Sequence, residues 1–402
     1  MRKTIVYFLA LSLFAVSCSK SSSVPEEQQI TNPPEPNEDA AKPISISFPN
    51  AYFIEREKAA TGQSSYVIMN QLVSMLDAVP KNETVYVSIY LINYAQVIDA
   101  MIRASERGVT MNVIVDSSRE DSWETNPAAI EKLRKGLKAP STLTIVNSDA
   151  STTSINHNKF AVFSALNTTN GLAKKVVFQT SHNFTLADTR KIQDAIVLQH
   201  DGLYDAYRTY WSDMRSRAKS GMKNFEFKIY SDNTNGVSAA FLPRRSGGKA
   251  VSKDIIIELL DTISKPAETT IRIGMSDWVS RPAITDKLRE LQIAGASIEL
   301  VVKSSIGDDA KSGIAVLKAN GAKVTNLNMT EPGQKINIHS KFLLLEGPMK
   351  SGATSLIATG SHNYTMNALI NNNETLVMLE NSPLFSKYKD YFKTLLTLPS
   401  LD

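Results

Sequence analysis

Two stretches of this chain are near copies of one another, and that duplication restricts the fold more than any other feature. The first is Ile155-Asn156-His157-Asn158-Lys159-Phe160-Ala161-Val162-Phe163, and the second is Ile338-His339-Ser340-Lys341-Phe342-Leu343-Leu344-Leu345. Each is a His-x-Lys followed by an apolar run, the pattern of a buried strand. Residues two apart on a strand share a face. His157 and Lys159 therefore project together, as do His339 and Lys341. An imidazole and an ammonium are costly to bury unpaired, so their placement calls for partners or a ligand.

A polar turn follows each copy. Thr180-Ser181-His182-Asn183-Phe184-Thr185 comes after Val176-Val177-Phe178, and Gly360-Ser361-His362-Asn363-Tyr364-Thr365 after Leu356-Ile357-Ala358. Four of the five histidines of the chain lie in these four elements. The repeat extends further: Gly108 and Gly295 are 187 positions apart, His157 and His339 are 182, and Ser181/Ser361 and Asp194/Glu374 are each 180. A steady offset with small deletions marks an internal duplication.

The segments between the motifs alternate in period. In the first half, helices are expected over 64–79, 95–107, 126–137 and 204–217, and strands over 84–91, 109–115, 143–146 and 195–199, with a loop at 167–171. In the second half, helices are expected over 252–263, 282–294, 309–320 and 383–395, and strands over 270–275, 298–302 and 375–379. Gly108, Gly295 and Gly321 sit where helix C-terminal caps belong. This order predicts an α/β protein of two pseudo-symmetric α/β/α sandwich halves, with both His-Lys pairs in one shared cleft. The halves are expected over 44–223 and 224–402.

At 402 residues, with 42% apolar and 21% charged, the chain can build such a body. A net charge of +4 and no dense Lys/Arg stripe argue against tight nucleic-acid binding. The single cysteine, Cys18, excludes an intrachain disulfide and a thiolate metal cage. Arg2 and Lys3, an apolar run over 5–16 and Cys18 read as a secretory signal. Its end resembles the bacterial lipobox, which implies cleavage before Cys18 and lipidation there; Ser19 after it points to the outer membrane of the cell envelope. Residues 19–43, rich in Ser, Pro and Glu, read as a flexible tether between lipid and folded body.

Two imidazoles facing each other suit a two-step displacement, one as nucleophile and the other as proton donor and acceptor. Two lysines beside them would hold an anion and stabilise growing charge. Each histidine needs an acceptor on its other nitrogen, and Asp194 and Glu374 are the candidates. A phosphodiester is the natural substrate for such a set.

These motifs resemble those of the phospholipase D superfamily, whose pattern is His-x-Lys, four residues, Asp, then Gly-Ser-x-Asn, occurring twice. The resemblance covers about residues 50–395. It implies a phosphohistidine intermediate, no metal or other cofactor, catalysis by His157, Lys159, His339 and Lys341, and substrate contacts from Ser181, Asn183, Ser361 and Asn363. It also implies that His157 attacks and His339 supplies the proton. The family Asp falls on Ser164 and Glu346, and the family Gly on Thr180 in the first half. His182 and His362 read as turn residues near the cleft, and His200 as structural. Asp116 and Lys303, at matching strand ends, are possible lining groups, and Arg244 and Arg245 read as a solvated turn. The expected activity is a monomeric, membrane-anchored phospholipase D or transphosphatidylase acting on phospholipids. A nuclease of the same superfamily and a catalytically weak phosphate-binding envelope module are the alternatives.

Overall fold

The computed structural model describes residues 41–116, 120–146, 154–218, 225–251, 253–328 and 335–401. The signal, the lipidation site Cys18, the tether up to residue 40 and the half boundary at 224 lie outside the described residues. Among those described, no helix is long and apolar enough to cross a membrane.

The first half is one mixed sheet of β1 (Asn50–Phe53), β2 (Thr84–Ile89), β3 (Thr110–Asp116), β4 (Thr142–Val146), β5 (Lys159–Thr168), β6 (Gly171–Thr180) and β7 (Asp194–Gln199). Its spatial order is β1-β7-β6-β5-β2-β3-β4. The second sheet holds β8 (Lys228–Asp232), β9 (Val237–Leu242), β10 (Thr270–Met275), β11 (Ser297–Lys303), β12 (Lys323–Leu327), β13 (Lys341–Glu346), β14 (Ser355–Gly360) and β15 (Glu374–Glu380). Its order, β8-β9-β15-β14-β13-β10-β11-β12, repeats the first with one strand added at the edge. In each sheet the pairs β2–β3–β4 and β10–β11–β12 are parallel, and the motif strands are antiparallel to their neighbours.

The helices are α1 (Arg56–Ala60), α2 (Val67–Asp77), α3 (Ala95–Glu106), α4 (Glu120–Gly136), α5 (Asp201–Arg217), α6 (Ile255–Leu260), α7 (Pro282–Ile293), α8 (Asp308–Ala319), α9 (Met366–Ile370) and α10 (Phe385–Leu395). Gly108 and Gly295 close α3 and α7 with φ of +90° and +102°, a conformation that a Cβ disfavours. Four strands were not legible beforehand: β1, β8, β9 and β12. They lie at or next to sheet edges, are short, and carry few large apolar residues. Residues 167–171, expected as a loop, instead form a tight hairpin in which Thr168 pairs with Gly171. α4 begins six residues before the expected start, with Pro127 inside it.

One hydrophobic cluster runs through both halves. Helix α5 bridges the two sheets: the Trp211 Nε1–H donates to the Val87 carbonyl at 2.8 Å, and the Tyr210 ring lies 4.8 Å from Phe241. Helix α10 makes the reciprocal link, with Tyr388 against Phe53 at 4.9 Å and Phe342 at 5.5 Å. Each half thus lends a helix to the other's core, which fixes how the two motif strands face.

Candidate active site

Both histidines sit just ahead of a motif strand, and each is tied by its backbone to the opposite half. The His157 N–H donates to the Asn373 carbonyl at 2.9 Å, and Asn373 N–H to the Ile155 carbonyl at 2.9 Å. In the mirror arrangement, His339 N–H donates to the Ile192 carbonyl at 2.8 Å, and Ile192 N–H to Asn337 at 2.8 Å. These are short parallel bridges, Asn156 with Asn373 and Ile192 with Ile338. They place His157 and His339 on the walls of one cleft of about 640 Å³, together with Asn183 and Asn363.

The lysines lie beneath. Lys159 is 0% and Lys341 1% exposed. Each ammonium donates to the carbonyl of its own motif histidine, Lys159 at 2.7 Å and Lys341 at 2.6 Å. Burial, the dominant cause, brings Lys159 down to about 7 and drives Lys341 well below its ordinary range. An anion in the cleft would favour the charged form of both.

The ring partners differ between the halves. His157 Nδ1 faces both Glu374 oxygens at 2.9 Å. His339 Nδ1 has neutral acceptors at hydrogen-bond distance, the Gln193 side-chain oxygen at 3.0 Å and the Ser181 carbonyl at 3.1 Å, with the buried Asp188 carboxylate further off at 3.8 Å. Because these accept, Nδ1 carries the hydrogen and Nε2 is the atom through which each ring can act. Burial, reinforced by the lysines, holds both imidazoles well below their ordinary pKa and hence neutral. Burial also raises Glu374, opposed by the Lys159 charge and by hydrogen bonds from Ser361 and Asn372, which favour its ionised form.

Asp194, a candidate to orient a histidine, does not do so. Its carboxylate accepts from the Ser181 hydroxyl at 2.9 Å, Thr359 at 2.5 Å and Tyr388 at 2.9 Å. Glu374 makes the equivalent side-chain bond to Ser361. Its extra methylene carries it on to a histidine, whereas the shorter Asp194 is spent on hydroxyls, and Gln193 takes its place. Ser181 and Ser361, expected to contact substrate, are both buried, with their hydroxyls bonded to these acids. Asn183 and Asn363 do reach the cleft. The side-chain oxygen of Asn183 has no hydrogen-bond partner among the described residues.

The family departures fall away from the chemistry. Ser164 and Glu346 lie five residues beyond the lysines, about 17 Å along the strands. Ser164 donates to Glu83 at 2.5 Å, and Glu346 pairs with Arg272 at 2.7 Å and Lys389 at 2.5 Å. At Gly360 a Cβ would meet the Thr375 carbonyl at 2.1 Å, which explains glycine there. Thr180, its counterpart, instead donates its hydroxyl to the Asp194 carbonyl at 2.6 Å.

Lys303 lines the cleft, 3.2 Å from Asp277. Asp116 is turned inward to the Asn156 N–H at 2.7 Å. Arg244, far from a solvated turn, is buried against Glu258 at 2.7 Å, and Arg245 binds Asn371 at 2.7 Å. His182 and His362 are buried, the latter 3.0 Å from Arg281. His200 caps α5 by accepting from Leu203 N–H at 3.2 Å. Sequence reasoning missed Gln193, Asp277 and Lys191 at the site. Gln193 could have been found from its place beside Asp194. Among the described residues no cluster of three or more His, Cys, Asp or Glu could hold a metal.

The sequence matches the family described as cardiolipin synthase, PLD-like domain, over residues 75–216 and again over 259–396. Each match encloses one His-x-Lys and one Ser-x-Asn motif. No curated protein matches the chain. Among solved structures, a phosphatidylserine synthase from Haemophilus influenzae is similar, with 11% identity, 88% of both chains covered and a TM-score of 0.57. A polyphosphate kinase from Porphyromonas gingivalis is similar at 15% identity and a TM-score of 0.52, over 86% of this chain. The chain spans 50% of that kinase's length. At such identities these likenesses concern the fold.

Proposed function

Because the chain belongs to the cardiolipin synthase, phospholipase D-like family, with one copy of the domain in each half, we propose that it cleaves or transfers the phosphodiester of a phospholipid through a phosphohistidine intermediate. One observation carries this reading: two neutral imidazoles from different halves share one cleft above two buried lysines.

The His157 Nε2 lone pair attacks phosphorus, and the bond from phosphorus to the headgroup oxygen breaks. With the anionic diester bound, His339 carries a second proton on Nε2 and gives it to the leaving oxygen, remaining neutral with its hydrogen on Nδ1. Lys159, Lys341 and the amides of Asn183 and Asn363 face the charge that builds on the non-bridging oxygens. Water or an alcohol then surrenders a proton to His339 and attacks phosphorus, and the P–N bond breaks. Glu374 favours His157 as nucleophile, since a carboxylate on Nδ1 stabilises the positive charge that the ring gains when Nε2 bonds to phosphorus. The lipid anchor expected at Cys18 would hold the cleft at a membrane surface, where substrate is concentrated.

The test is turnover by full-length protein in detergent with EDTA present. Headgroup release from phosphatidylglycerol or phosphatidylethanolamine is the expected result. Degradation of plasmid DNA with lipid untouched would assign a nuclease, and no turnover of any phosphodiester a binding module. Loss of palmitate labelling in Cys18→Ala checks the anchor.

A further inference from the structure

We propose that Asp277 reads a hydrogen-bond donor, a hydroxyl or a primary ammonium, carried by the headgroup beside the scissile phosphodiester. The inference rests on the reading of the cleft as a phosphodiester site. Among the described residues lining that cleft, Asp277 is the one acid; Lys191 and Lys303 line it as cations. Its side chain is 49% exposed, so the carboxylate is presented to the cleft. Burial pushes its pKa up, but the Lys303 and Lys341 charges outweigh this and keep it ionised.

Its charge acts on His157 through space, but it holds neither catalytic ring by a hydrogen bond. His157 Nδ1 is held by Glu374 and His339 Nδ1 by Gln193 and Ser181. Its contacts are Lys303 Nζ at 3.2 Å, the Ser276 hydroxyl at 3.3 Å, and its own N–H to the Asn363 side-chain oxygen at 3.3 Å. A cleft that binds an anion loses affinity by displaying a carboxylate, because like charges repel. Lys303 compensates one oxygen of the carboxylate, and a ligand that offers a positively polarised hydrogen can be read by the other.

The pseudo-two-fold sharpens this. Ile89 pairs with Lys159 and Met275 with Lys341, so the residues two further on, Leu91 and Asp277, occupy equivalent positions. Both line the cleft. One side is therefore apolar and its mirror side is an acceptor. A phospholipid diester has the same inequality, with an apolar glyceride alcohol on one oxygen and a polar headgroup alcohol on the other.

Equilibrium binding tests the proposal without any turnover, so failure of the phosphohistidine mechanism leaves it standing or falling by itself. Methyl phosphate, glycerol phosphate and phosphoethanolamine are titrated calorimetrically into the full-length protein in detergent. The wild type should bind at least one donor-bearing ester about tenfold tighter than methyl phosphate, the scale of a hydrogen bond to a charged group. Asp277→Ala should bring that ratio to about one. Asp277→Asn keeps an acceptor without the charge, so it should retain part of a preference for glycerol phosphate and none for phosphoethanolamine; it also serves if the alanine variant does not fold. Absence of any preference in the wild type, or an undiminished preference in both variants, overturns the assignment.

Discussion

His157 Nδ1 lies 2.9 Å from both carboxylate oxygens of Glu374, a residue 217 positions away in the chain and in the opposite half. Glu374 is 0% exposed, and among the described residues none of the first half supplies a comparable acid to this ring. Glu374→Gln should lower kcat by about 10- to 100-fold with little change in KM, as loss of a partner that orients a reactive histidine does. Gln193→Ala at His339 should cost less, because it removes a neutral acceptor and leaves the Ser181 carbonyl. Steady-state hydrolysis of bis(p-nitrophenyl) phosphate by both variants measures the difference; equal losses would refute the division of labour.

The two motif histidines should differ in what their loss leaves behind. His157→Ala and His339→Ala should each reduce turnover by about 10³-fold or more. Only His339→Ala keeps the nucleophile, so phosphoryl adduct should accumulate on it with an activated substrate and be visible by intact-protein mass spectrometry. Adduct on the His157→Ala protein would reverse the roles.

Asp194 is predicted to matter for stability. It is 1% exposed and joins Ser181 of its own half to Thr359 and Tyr388 of the other. Asp194→Ala strands three buried hydroxyls and should cost about 3 kcal/mol, read from the urea midpoint, with Tyr388→Phe costing about 1 kcal/mol.

Acid should unfold the protein early. Burial holds His157, His339 and His362 well below their ordinary pKa, and His182 at about 4. A depressed histidine binds its proton in the unfolded chain first. The histidines' contribution is therefore full above the unfolded value near 6.5 and declines as pH falls through it, by up to about 1.4 kcal/mol per pH unit for each group. Glu374, raised to about 8, acts in the opposite sense between its unfolded and folded values, but it is one group against four. Thermal melts should drop steadily from pH 7 to pH 5; a flat profile would mean that the imidazoles are charged.

His200→Ala should leave turnover unchanged and lower stability by about 1 kcal/mol, because the ring caps α5 rather than facing the cleft.

The doubled motif is legible in the sequence because identity and spacing recur together: His157, Lys159 and Asn183 align with His339, Lys341 and Asn363. The α/β alternation was legible for the same reason, since glycines such as Gly108 and Gly295 punctuate it. What could not be read is what breaks the symmetry. Asp194 and Glu374 are one methylene apart, and only packing shows that the shorter acid stops at hydroxyls while the longer one reaches a ring. Asp277 has Leu91 as its counterpart, so repetition gave no signal for it. Edge strands such as Lys323–Leu327 carry too little apolar patterning to stand out.

The paired bridges from Asn373 to His157 and from Ile192 to His339 carry an evolutionary corollary. Neither copy of the repeat can be discarded, since each supplies the backbone acceptor that its sibling's imidazole segment requires. A lone ancestral unit would have had to meet a twin to work at all, and fusing the two freed the copies to hold their rings differently, one by Glu374 and the other by Gln193.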